Sequence, residues 1–162
     1  MPRRLSRLFS HNRAARACAL LMLLLPAAPA TVGAQVAVVT NPANALDDLS
    51  SDALRRLFLG QATTLPTGTR ARLATHGPSS ARFDTGALRL QPEIVRSRWM
   101  AMTFRGETTT IPTDFSTADD VKRFVREHVD ALAYLPLADV DATVKVVRID
   151  GRRPADPGYL LR

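Results

Sequence analysis

Cysteine is almost missing from this chain: its 162 residues include one, Cys18. Residues 35–162 have none, which excludes a disulfide, a thiolate metal ligand and a cysteine nucleophile from that stretch. A thiol-free chain suits an oxidising compartment. Histidine is scarce too. Past residue 34 only His76 and His128 occur, whereas a zinc site needs about three or four ligands. No apolar run approaches the roughly 20 residues of a membrane-crossing helix. Neither a Walker phosphate loop nor a glycine-rich dinucleotide fingerprint is present, so no cofactor is implied.

Acidic residues are absent from the first 46 positions, and this decides how the charge is read. The net charge of +7 suggests a nucleic-acid binder. Five of the 22 basic residues, however, are Arg3, Arg4, Arg7, Arg13 and Arg16. Without them 17 basic residues face 15 acidic ones, a net +2, and nucleic acid is not an expected partner. The arginines precede a short apolar stretch at 18–25, then Pro26, Pro29 and small residues up to Ala34. That order is the pattern of a secretory signal peptide. Cleavage is expected after Ala34, giving a periplasmic or secreted protein; an uncleaved anchor is the alternative.

Residues 35–162 have the length of one domain. Val36–Val39 is a continuous apolar run and predicts a buried strand. Ser50 predicts a helix N-cap, with Asp52 in the first turn and Leu49 and Leu54 placed for a hydrophobic staple. Gly60 is placed to end that helix. Residues 70–75 read as a second strand, and His76-Gly77-Pro78 as a loop. A helix capped by Ser79 or Ser80 follows, with Phe83, Ala87 and Leu90 on its apolar face and Gly86 weakening it. Pro92 opens another helix, with Ile94, Val95, Trp99 and Met102 on one side. Residues 106–112 read as polar loop. Ser116-Thr117-Ala118-Asp119 reads as a capping box before a helix burying Val121, Phe124, Val125 and Val129. Strands are expected at 131–135 and 144–149, and a turn at Asp150-Gly151. Strands alternating with helices predict a layered α/β domain whose mainly parallel sheet is flanked by helices.

Hydrolytic chemistry has little support. Gly77-Pro78-Ser79-Ser80-Ala81 resembles a nucleophile elbow superficially but lacks its closing glycine. His128, near a helix end, suits the helix dipole better than catalysis. The paired acids Asp119-Asp120 and Asp139/Asp141 read as capping or solvated groups. The most suggestive stretch is the junction from Thr75 to Arg82. A strand enters a glycine-containing loop that opens a helix, where an anion would be favoured. Thr75, His76, Gly77, Ser79, Ser80 and Arg82 are its candidate ligand-binding residues, the serines as hydroxyl donors and Arg82 as a charged fork. An ordinary serine cap beside a surface arginine is the simpler reading of those residues alone.

Several stretches in order resemble phosphate ABC transporter substrate-binding proteins, of the type II periplasmic-binding-protein-like kind. They are Val36–Asn44 (VAVVTNPAN), Leu49–Gly60 (LSSDALRRLFLG), Gly68, Trp99, Phe104-Arg105-Gly106, the helix over 117–128, Asp130–Tyr134, Val146–Pro154 and Gly158-Tyr159. The resemblance implies an α/β lobe matching the one that follows the first hinge strand in relatives, which hold the anion between two lobes. It implies a non-enzymatic, exported, solute-binding-like protein for phosphate or a similar oxyanion. An ABC transporter permease or another envelope protein is the implied partner, and a second copy of the chain is an alternative source of the missing wall. The competing expectation is a periplasmic adaptor module that has lost its ligand. A third is a hydrolase using His76 with Ser79 or Ser80.

Overall fold

Strand β1 (Val36–Thr40) is buried along its whole length, because both faces of the sheet it joins are covered. Alternate side chains point to opposite faces of a strand. Val36 and Val38 accordingly join one core, and Ala37 and Val39 the other. The computed structural model describes residues 35–107 and 111–162. The expected signal peptide at 1–34 lies outside the described residues.

The elements that follow are β2 (Asp48–Leu49), α1 (Ser51–Phe58), β3 (Arg72–His76), α2 (Ser80–Phe83) and α3 (Pro92–Phe104). The chain continues with β4 (Thr113–Phe115), α4 (Ala118–Glu127), β5 (Ala131–Pro136), β6 (Lys145–Val146) and β7 (Arg148–Ile149). The main sheet has the order β4-β3-β5-β1-β6. β3 is parallel to β4 and β5, while β1 is antiparallel to β5 and β6. Four of the five strands therefore run one way, with β1 opposed, and the expected mainly parallel α/β lobe is what forms. β2 and β7 make a separate parallel pair.

Side-chain size sorts the helices onto the two faces. Leu132 and Tyr134 of β5 face the core that holds Leu54, Leu57 and Phe58 of α1, Phe83 of α2 and Val95 of α3. The opposite face is lined by Ala37, Ala74, Ala131 and Ala133, small enough for α4 to pack closely through Val121 and Val125. The α1 signals act as expected. The Ser50 hydroxyl accepts from the Ala53 amide at 3.1 Å, and Leu49 and Leu54 are both buried. Gly60 follows the helix at φ 68°, a conformation that favours glycine.

Other expectations shift. β3 runs over 72–76, so His76 belongs to the strand and not to the loop. β4 follows the expected polar loop directly, as a short edge strand where no element is expected. The expected strand over 144–149 divides at Val147, whose amide donates to Val38 O at 2.9 Å while the chain leaves the main sheet for β2. The capping residue of α4 is Thr117, which accepts from the Asp120 amide at 3.2 Å. Because α4 ends at Glu127, Val129 escapes its buried stripe and is exposed. Ile94 likewise faces solvent on α3, where Val95 and Met102 are buried.

The helix expected after Ser79 or Ser80 departs most. Residues 77–79 form a tight 3-10 turn, α2 itself is four residues long, and 84–88 widen into a π turn. Gly86 has a packing reason there. A Cβ on it would lie 3.2 Å from Leu161 Cδ2 and 3.4 Å from Leu160 O, so glycine admits the C-terminal tail. That tail is secured where Val36 N donates to Leu161 O at 3.0 Å.

Candidate functional site

The junction after β3 gathers the predicted residues at the carboxyl-terminal edge of the parallel strands. Thr75, His76 and Ser79 are buried, Gly77 and Ser80 half-buried, and Arg82 exposed. Neither Ser79 nor Ser80 caps α2 with its side chain. Ser79 Oγ lies 2.8 Å from His76 Nδ1, and Ser80 Oγ donates to Gly77 O at 2.7 Å. Both hydroxyls therefore tie the turn together from within. With α2 only four residues long, the expected helix-end field is small, and side-chain donors must carry any anion chemistry.

A further residue enters this corner from β4. Register sets Thr75 opposite Asp114 and His76 opposite Phe115. Thr75 Oγ1 donates to Asp114 Oδ1 at 2.6 Å. A Cβ on Gly77 would meet Asp114 Oδ2 at 3.3 Å, so glycine leaves room for that carboxylate. Asp114 was not foreseen because β4 itself was not. The alternation of Thr113, Asp114 and Phe115 just before a cap is the only local signal.

Burial lowers the His76 pKa, and the carboxylates of Asp139 and Asp114 oppose that shift. Burial thus favours the neutral ring of His76, one nitrogen of which is engaged by Ser79. Ser79 is 9% exposed, and among the described residues no carboxylate hydrogen-bonds to His76. Among the described residues, no three His, Cys, Asp or Glu side chains are grouped to hold a metal ion.

Behind the corner lies an aromatic support. Phe83 stacks on Tyr134 at 3.9 Å between ring centres and meets Phe58 edge-on at 4.8 Å. Asp84, the next residue, is buried, and its Oδ1 has no hydrogen-bond partner among the described residues. Burial raises its pKa to about 6, with Arg96 opposing. Burial also pushes the Tyr134 phenol up, with Asp84 and Asp114 adding to the shift.

No family model matches the sequence, and no curated protein matches it. Solved structures do match the fold. An ABC-type phosphate transport receptor from Vibrio cholerae aligns with a TM-score of 0.53 at 17% identity, covering 75% of this chain and 48% of that one. The structure matches the phosphate ABC transporter substrate-binding proteins in fold. A putative phosphate ABC transporter substrate-binding protein with bound phosphate from Clostridium perfringens gives 0.56 at 16% identity, over 74% of this chain and 46% of its own. PstS from Borrelia burgdorferi gives 0.55 at 8% identity, over 75% and 49%. This chain therefore spans about half the length of the binding proteins it resembles.

Proposed function

We propose that this chain is an exported, non-enzymatic binding lobe for phosphate or a similar protonated oxyanion, working beside an ABC-type phosphate uptake system. The ligand sits at Thr75, His76, Gly77, Ser79, Ser80 and Arg82. One observation carries this reading: polar side chains collect after β3 in a fold shared with phosphate receptors. In open α/β sheets, ligands settle outside the carboxyl ends of the strands.

Asp114 adds a condition on the ligand. An ionised carboxylate only accepts hydrogen bonds, so it repels an oxyanion without a proton and welcomes one that can donate. Phosphate near neutral pH retains a proton, whereas sulfate does not. Arg82 makes no ion pair with the described residues, which leaves its guanidinium for the anion. A single lobe leaves the ion wet on one side, where water screens each contact. A second copy of the chain or an envelope partner, such as the permease, supplies the missing wall.

A second reading is an adaptor without ligand. It is favoured by one observation: the hydroxyls of Thr75, Ser79 and Ser80 already have partners within the chain. Thermal unfolding separates the two. A ligand at 100 times its dissociation constant adds about 2.7 kcal/mol. For a domain of this size that is on the order of 10 °C. Phosphate is expected to raise the melting temperature and sulfate to leave it alone. The double variant Ser80→Ala/Arg82→Ala should abolish the shift, and Asp114→Asn should let sulfate produce one. If phosphate, sulfate and carboxylates all leave the wild type unmoved, the adaptor reading replaces the binding one.

A further inference from the structure

We propose a second anion site, for a small organic dianion such as a phosphomonoester, in the cleft beside edge strand β6. The cleft has a volume of ≈570 Å³ and is lined by Asp47, Leu137, Lys145, Arg148, Arg153 and Pro154 among others. That size falls in the range of about 300–1,000 Å³ typical of small-molecule sites and exceeds the need of a bare inorganic ion.

Its charges are unequally matched. The Lys145 ammonium is held by Asn44 O and, at 3.0 Å, by Asp47 Oδ1. That carboxylate offsets one of the three cations. Arg148 and Arg153 enter no ion pair with the described residues. Arg148 Nε is buried and has no acceptor among the described residues. A guanidinium donor removed from water without an acceptor is costly. Two uncompensated guanidinium groups match a doubly charged head group, which their planar forks bind well. Leu137 and Pro154 supply an apolar wall for the body of such a molecule.

Place in the fold sets the β6 side of this cleft apart from the corner at 75–82. β5 and β1 lie between β3 and β6 in the sheet. Three strand spacings put Lys145 about 14 Å from β3, while Leu137, just past the end of β5, lies one strand away from it. Occupation of one does not require the other, so the cleft stands whether or not the corner binds phosphate.

The test is titration of the purified protein with phenyl phosphate, followed by calorimetry and by amide chemical shifts. Binding is expected with shifts at Lys145, Arg148 and Arg153, and benzoate, with one charge, should bind about tenfold more weakly. Arg153→Gln, an exposed position, should lose about tenfold in affinity without loss of fold, and Arg148→Gln at least as much. Affinity should also fall as salt is added. The Ser80→Ala/Arg82→Ala variant should bind phenyl phosphate as the wild type does. The proposal is overturned by no binding at ~10 mM phenyl phosphate, by unchanged affinity in Arg153→Gln, by equal affinity for benzoate, or by loss of binding in the corner variant.

Discussion

Replacing Phe83 by alanine is expected to remove about 3–5 kcal/mol from the unfolding free energy, the usual loss for a buried aromatic side chain. Phe83 is fully buried, stacked on Tyr134 and edge-on to Phe58. Such aromatic pairs add about 0.5–1.5 kcal/mol beyond the area they bury. A domain holds only about 5–15 kcal/mol in all, so the variant should sit close to unfolding at room temperature. The reason extends to the site. Phe83 attaches the 77–88 turn to β5, and that turn carries Ser79 and Ser80. Urea unfolding measures the loss; a change below about 1 kcal/mol would show that the cluster does not hold the junction.

Asp84→Asn is expected to stabilise the protein above neutral pH. The carboxyl is buried with one oxygen unpartnered, and burial raises its pKa from 3.8 to about 6. A carboxyl with a raised folded pKa holds its proton more tightly in the fold than in the unfolded chain. Stability is therefore full below about pH 4, falls as pH rises through about 6, and levels off above that. The shift corresponds to about 3 kcal/mol. Asparagine carries no charge at any pH, so the variant should gain up to that amount at about pH 7.5 and little near pH 4. Denaturant midpoints across that range read the effect directly. Destabilisation of Asp84→Asn at high pH would instead mean that Arg96 draws net stability from the ionised carboxylate.

How much of this was legible in the sequence depends on how local each signal is. β1 and α1 were readable because an apolar run, Ser50, Leu49, Leu54 and Gly60 all act within a few residues of one another. β4 was not. Thr113, Asp114 and Phe115 form a short edge strand whose only pairing among the described residues is with β3, between a stretch that reads as polar loop and a helix cap. The division at Val147 was equally hidden, since a buried valine suits a continuous strand as well as the break between β6 and β7. At the site, Thr75, His76, Gly77, Ser79 and Ser80 came together because they are neighbours in the chain. Asp114 reaches them across 39 residues and depends on strand register. The serines were read as caps because serine usually caps; here His76 Nδ1 and Gly77 O compete for them more effectively. Ile94 was assigned to the buried side of α3 by spacing, but the helix turns it to solvent as Val95 takes the core.

A single calorimetric comparison tests the central claim most directly. Phosphate and sulfate are titrated into the purified protein at equal ionic strength near neutral pH. The account predicts saturable heat with phosphate, none with sulfate, and a response to both in Asp114→Asn. Silence from both anions in the wild-type protein would contradict it, as would equal binding of the two.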